Sequence, residues 1–226
     1  MNLNEKIGVN NLILQLLEKI LDQCLKIDKF QNYVNRHFSV KCGIKWVYNS
    51  NNTTIEEVFK EYKFNDIRKD DIVLDIGANV GGFSLFISKM VKHVYSVEPF
   101  ITKTLNENIK LNNLNNITVF DEALGIGDIE VAWGIPPYKI VKGKSLSELI
   151  ALCGGHVDIL KCDCEGGEWC ITSDELKNIR RIEMEVHNLS GKYNLNDYFK
   201  KLDQAGFEYT YNIYKETDML VHANRS

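Results

Sequence analysis

The chain has 226 residues, 44% hydrophobic and 26% charged, and its 27 basic and 31 acidic residues leave a net charge of −4. That is one large domain, or one domain with an extension, and the composition excludes a fibrous or wholly disordered protein. The charge excludes a chain that holds nucleic acid by phosphate neutralisation alone, and the lack of an apolar run of about 18 residues excludes a membrane-spanning helix. The N-terminal Met-Asn-Leu-Asn-Glu-Lys lacks the basic-then-apolar order of a signal peptide. The expected location is therefore the cytoplasm, with the six cysteines as reduced thiols.

Residues 11–27 place Ile13, Leu17, Ile20 and Cys24 on one face, with Glu18, Lys19 and Asp22 opposite. This spacing predicts an amphipathic helix that docks on the domain or pairs with a second copy in a homodimer. Its polar face is not basic, which speaks against a membrane surface. Residues 30–50 read as irregular chain or a short hairpin. A second helix is expected over about 54–63, capped by Thr53 or Thr54, with Glu56 and Glu57 in its first turn. Residues 1–66 are thus read as a helical extension and 67–226 as the binding domain.

From Asp71 the pattern changes. DIVLDIG, HVYSVEP, ITVFDEAL, HVDILKCD and IRRIEMEVH read as strands. Between them GGFSLFISKM, ITKTLNENIKLNN, SLSELIALC and SDELKNI read as helices, with an irregular stretch ahead of SLSELIALC. NDYFKKLDQAG is a final helix, followed by the strands FEYTYNI and TDMLVHA. Alternation at this spacing predicts an α/β fold with a mostly parallel sheet. The short link at Lys215 and Glu216 allows the last two strands to pair only antiparallel, as an edge hairpin.

Asp75-Ile-Gly77-Ala78-Asn79-Val-Gly81-Gly82 leaves the first strand and enters a helix. Ligands of open α/β sheets bind at such strand exits, where glycine permits close backbone approach. Glu98 ends the next strand, 23 residues after Asp75, where a carboxylate can accept both hydroxyls of a ribose. The pattern therefore points to a nucleoside-bearing cofactor. A pyrophosphate site wants G-x-G-x-x-G, but Asn79 replaces the middle glycine and Asp75 precedes the turn. An acid there repels phosphate and suits an ammonium group, which favours S-adenosylmethionine over a nicotinamide.

LDIGANVGGFS, VYSVEPF, the ALG after the third strand, SLSELI and LKCDCEGGE together resemble the FkbM family of S-adenosylmethionine-dependent methyltransferases, over roughly residues 67–190. The resemblance implies a Rossmann-like methyltransferase fold whose seven-stranded sheet has an antiparallel penultimate strand. It also implies O-methylation of a sugar or other small natural product. On the same resemblance, Gly77, Ala78, Asn79 and Gly81 line the methionine part of the cofactor and Asp75 supports that turn. Glu98 holds the ribose, and Pro99 and Phe100 lie beside the adenine. Asp121, Glu122 and Ala123 fall where the adenine amino group is read, with the choice between the two acids open.

Methyl transfer needs positioning and, for a sugar hydroxyl, a general base. Asp163, at the carboxyl end of the fourth core strand, is the first candidate, and Glu165 and Glu168 follow in the same turn. His187 ends the neighbouring strand with Glu185 two residues earlier on the same face, so it can serve as base or as orienting partner. Each has a bland alternative: Asp163 as a helix cap, Glu165 bonding the turn, His187 as a core histidine, Glu183 and Glu185 in ion pairs. Asp163, Glu165, Glu185 and His187 allow a divalent metal, but no ligand spacing is diagnostic and no metal site is assigned. Cys162 and Cys164 alternate with Asp163 and point away from it, and C-x-C is not the usual zinc pair. Trp46, Trp133, Tyr138 and Trp169 are packing residues first and acceptor contacts second. The expected partner is a small-molecule or glycan acceptor. The alternatives are an RNA methyltransferase and a non-catalytic cofactor-binding protein. RNA is disfavoured by the acidic chain and by Cys-Asp-Cys-Glu-Gly where RNA amino-methylases carry an N-P-P-type motif.

Overall fold

The structure, a computed structural model, describes residues 44–46, 58, 60–131, 139–188, 192–214 and 218–225. The helix expected over 11–27, the segment 30–50 apart from 44–46, residues 54–57 and 59 of the helix expected over about 54–63, and Trp133 and Tyr138 lie outside the described residues. The chain divides into two compact units, Met1–Asn52 and Thr53–Ser226. All elements below belong to the second. Residues 58–66, read from the sequence as extension, belong to it too, with Val58 and Tyr62 in one of its apolar clusters.

The strands are β1 (Ile72–Ile76), β2 (His93–Val97), β3 (Ile117–Phe120), β4 (Ala123–Leu124), β5 (Asp128–Val131), β6 (Lys139–Lys144), β7 (Ile159–Cys162), β8 (Arg181–His187), β9 (Glu208–Tyr214) and β10 (Asp218–Asn224). The helices are α1 (Gly82–Ile87), α2 (Thr102–Leu111), α3 (Leu146–Leu152), α4 (Ser173–Leu176) and α5 (Leu195–Ala205), with a 3-10 turn at Gly167–Cys170. Seven strands form the main sheet in the order β3-β2-β1-β7-β8-β10-β9. The pairs from β3 through β8 are parallel. β10 runs antiparallel between β8 and β9, so the closing hairpin sits at the sheet edge with its second strand inserted.

The central strands are buried on both faces, which is why they read as nearly continuous apolar runs. One face carries the larger cluster: Leu74, Leu160, Cys162 and Met184 pack against α3, α4 and α5 through Leu149, Leu176 and Leu202. On the other face Val73, Val94, Ile159 and Leu220 meet Phe83 and Ile87 of α1. Further along that second face, toward the carboxyl ends, the strands turn polar. Ser96, Asp75, Lys161, Glu183 and His222 stand side by side on β2, β1, β7, β8 and β10.

Two sequence expectations need correction. ITVFDEAL is not one strand: it breaks at Asp121 and Glu122, so that β3 stays in the main sheet while β4 joins a small one. The stretch read as irregular holds the β5–β6 hairpin, which forms that small sheet in the order β4-β6-β5. β4 reaches the larger core through Leu124, but in β5 and β6 the covered side is only half-buried: Ile129 pairs with Val141 there, while Ile140 on the other side is 69% exposed. With four and six residues and no fully buried side, the two strands carry too short an alternation to read.

Candidate functional site

The carboxyl ends of β1, β2, β7 and β8 open into a cleft of about 1260 Å³. At its near end the backbone leaves β1 through a tight turn with three left-handed residues. Gly77 has φ +73°, and a Cβ placed there would lie 1.7 Å from the carbonyl oxygen of Asp163. Asn79 follows at φ +53° and Gly81 at φ +99°, both left-handed. The Gly77 and Ala78 amides donate to the Val97 carbonyl, at 3.0 and 3.1 Å, which stitches the turn to β2.

Glu98 completes that stitching. Its Oε2 accepts from the Asn79 amide at 2.9 Å, and its Oε1 accepts from the Phe100 and Ile101 amides at 2.7 and 3.1 Å. The carboxylate thus fixes the glycine turn and the exit of β2 together, beside Pro99 and Phe100 in the cleft wall. Asp75 lies beneath the turn, fully buried and outside the cleft lining. Its Oδ2 accepts from Ser84 Oγ at 2.5 Å, and its Oδ1 is 3.2 Å from Lys161 Nζ. Gly81 is also outside the lining, with its α-carbon closed in by Leu85 and Leu105. Of the two acids at the end of β3, Glu122 lines the cleft with Ala123, while exposed Asp121 pairs with Lys139 at 2.7 Å.

Across the cleft, β7 and β8 bring a charge cluster together. Tyr62 donates to Asp163 Oδ2 at 3.0 Å, and Lys161 Nζ lies 3.8 Å from the same oxygen. His187 Nδ1 is 3.4 Å from Glu168 Oε1. Its Nε2 is 3.3 Å from Glu185 Oε1, 3.6 Å from Glu165 Oε2 and 3.9 Å from Asp163 Oδ1. Glu168 is fully buried and also accepts from the Cys164 and Gly166 amides at 2.8 and 2.9 Å, while Glu165 is exposed at the rim with φ +59°.

Burial would lower the His187 pKa, but the Glu168 and Glu185 contacts and the Glu168 and Glu165 charges overcome it and push it up to about 11. The ring is therefore an imidazolium at neutral pH. Lys161 follows the same logic: burial opposes its charge, Asp75 first and Asp163 next outweigh burial, and its pKa rises. Asp163 is raised by burial, against which Lys161 pulls. Tyr62 is raised well above the ordinary phenol, by burial first and Asp163 second, so it remains a donor.

Glu183, one pair of residues back on β8, is structural. It accepts from His222 Nδ1 at 2.6 Å, with that ring nitrogen as donor, and from the Lys63 amide at 3.0 Å, and pairs with Arg181. Cys162 lies on the opposite face in the larger core cluster, and Cys164, which also lines the cleft, packs against that cluster with the sulfurs 3.7 Å apart. Trp169 lines the cleft, stacked on Tyr193 with ring centroids 4.4 Å apart, and donates to the His187 carbonyl at 2.7 Å. The sequence reading passed over Tyr62 and Lys161. Tyr62 had no signal, being 101 residues from its partner. Lys161 had one: a lysine inside an otherwise apolar strand, two residues before Asp163, needs a buried counter-ion.

Strand order, glycine turn and cleft together define the class: this is the Rossmann-like fold of methyltransferases, with a mostly parallel seven-stranded sheet. A protein-family model described as a methyltransferase domain matches residues 140–223. An uncharacterized protein of Methanocaldococcus jannaschii, MJ1452, is 35% identical over 66 residues, 28% of this chain and 26% of that one. The tRNA (guanine(37)-N(1))-methyltransferase Trm5b of Pyrococcus abyssi is 38% identical over 56 residues, 24% of this chain and 17% of the relative. The chain thus spans about a quarter or less of these curated relatives' length. Among solved structures, SMU.1697c of Streptococcus mutans in complex with SAH shares the fold, with TM-score 0.50, 13% identity, and coverage of 71% of this chain and 91% of that one.

Proposed function

We propose that the chain is an S-adenosylmethionine-dependent methyltransferase that methylates a hydroxyl of a sugar or other small natural product. One observation carries this reading: a single cleft joins the Gly77–Gly82 turn and Glu98 to a carboxylate cluster at the ends of β7 and β8. The donor, when bound, supplies a methyl carbon already activated by its sulfonium. Gly77, Ala78 and Asn79 leave room for its methionine part, and Glu98 retains acceptor capacity for ribose hydroxyls beside its three amide bonds. Pro99, Phe100, Glu122 and Ala123 are placed for the adenine. Asp75 and Gly81 act from below, by holding the turn.

On the acceptor side, Asp163 receives the hydroxyl proton. Its Oδ2 is oriented by Tyr62, and its burial raises its basicity. Of the two roles expected of His187, orienting partner fits and base does not, because the imidazolium has no lone pair to offer. Glu165 is placed to contact the acceptor at the rim.

Titration with S-adenosylmethionine, S-adenosylhomocysteine and NAD tests the donor. Micromolar binding of the first two and none of NAD is expected; binding of NAD alone sinks the reading. Glu98→Ala should weaken donor binding by about 10- to 100-fold, since charge-assisted hydrogen bonds are lost and the turn loosens. Unchanged affinity would remove Glu98 from the site. A labelled-methyl screen over glycans and small hydroxylated acceptors then tests the acceptor class.

A second reading, RNA as acceptor, is favoured by the partial match to Trm5b. Against it stands the charge of the cleft. Among the described residues it is lined by nine acids, including Glu61, Glu122, Asp128, Glu130 and Asp218, against Lys161, Lys192 and His187.

A further inference from the structure

The cluster at the ends of β7 and β8 has a second capacity, written in how its members are held. Asp163 Oδ1, Glu185 Oε1 and His187 Nε2 face one another, and the three residues can each offer a ligand atom with all three atoms within 4.8 Å. The outer atom of Asp163 is engaged by Tyr62. The outer nitrogen of His187 is engaged by Glu168, itself fully buried and anchored by two backbone amides. A carboxylate behind Nδ1 fixes the ring so that Nε2 points inward, the arrangement that supports metal-ligating histidines. The side chains of Glu185 and His187 are 11% and 7% exposed, so this is no surface patch of solvated acids.

We propose that Asp163, Glu185 and His187 form a site for a divalent cation at the acceptor end of the cleft. Two carboxylate oxygens and one imidazole nitrogen suit an ion that accepts both oxygen and nitrogen, such as Mn²⁺, and suit Ca²⁺ poorly. Glu165, 3.6 Å from His187 Nε2 at the rim, is within reach as a further oxygen ligand. The remaining positions are open to the cleft, where an acceptor with neighbouring hydroxyls can coordinate. The cation would then acidify the reacting hydroxyl, with Asp163 as the neighbouring proton acceptor. The site itself does not depend on the methyltransferase reading; only this last role rests on it.

The test is a titration of the full chain with MnCl₂, following the free Mn²⁺ signal by electron paramagnetic resonance, with and without S-adenosylhomocysteine. One saturable site is expected in at least one arm. Glu185→Gln and His187→Gln should each weaken it about tenfold or more, and Glu168→Gln, which acts only by aiming His187, by about 10- to 100-fold. Glu130→Gln, an exposed acid that also lines the cleft, should leave it unchanged. S-adenosylhomocysteine affinity in each variant reports whether the cleft is still folded. Absence of a site in both arms overturns the proposal, as does a site that survives both Glu185→Gln and His187→Gln. A Mn²⁺ site lost in these variants, in a protein that binds no S-adenosyl compound, would uphold the cation site and overturn the methyltransferase reading instead.

Discussion

Lys161 carries a positive charge through the middle of the sheet with only 5% of its side chain exposed. It is tolerated because every direction is answered: the Gly77 carbonyl at 2.9 Å, Asp75 at 3.2 Å, Asp163 at 3.8 Å and the Tyr62 ring at 5.6 Å. One ammonium therefore ties the floor of the glycine turn to the proposed base. Lys161→Met should cost about 3–5 kcal/mol, because it leaves fully buried Asp75 and part-buried Asp163 without their cation. Chemical denaturation measures this, and a loss under about 1 kcal/mol would mean that the ion pairs contribute little. Replacing Asp75 with Leu in the same chain should recover part of the loss, which a merely bulky defect at position 161 would not.

At the scale of elements, the helices behind the larger core face are set by caps rather than by propensity. Thr172 Oγ1 accepts from the Glu175 amide while the Glu175 carboxylate accepts from the Thr172 amide and hydroxyl, a complete capping box for four-residue α4. Glu175 also accepts from the Ser147 amide at 2.8 Å, so the same carboxylate ties α4 to the start of α3. Thr172→Ala should lower stability by about 1 kcal/mol. Glu175→Ala should cost more, since it also breaks the tie between the helices; equal losses in thermal melts would show the tie to be idle. Elements with a buried face were legible in the sequence: β1, β2 and β7 by their apolar runs, β8 by its alternation, α3 and α5 by their spacing. The β5–β6 hairpin was not, because its strands are short and bury neither side fully. The site divides the same way. The Gly77–Gly82 turn and Glu98 are local to strand ends and could be read in order. Asp163, Glu185 and His187 could likewise be grouped from neighbouring strand ends, whereas Tyr62, 101 residues from Asp163, joins them only after folding.

For the whole molecule, the sign of the cleft matters more than the net charge. An acidic cleft accepts a cationic donor and repels a polyanion. In an electrophoretic shift assay at low salt, about 50 mM, where phosphate contacts are strongest, RNA should not bind detectably. Tight binding there would return weight to the RNA reading and require a basic surface outside the cleft.

The polar row across the second face, Ser96 to His222, bears on folding as well as on the site. Side chains alternate faces along a strand, so a slip of one residue between β1 and β7 would move a whole strand's set of side chains to the other face. Lys161 or Asp75 would then sit among Leu149, Leu176 and Leu202 with no counter-charge, and the aligned row from β1 to β10 would be broken at every pair beyond the slip. A slip in an all-apolar parallel sheet exchanges one greasy neighbour for another. Here it strands an ion in hydrocarbon. The same residues that floor the cleft thereby act as a proofreading mark on strand alignment, making the misaligned sheet too unstable to accumulate.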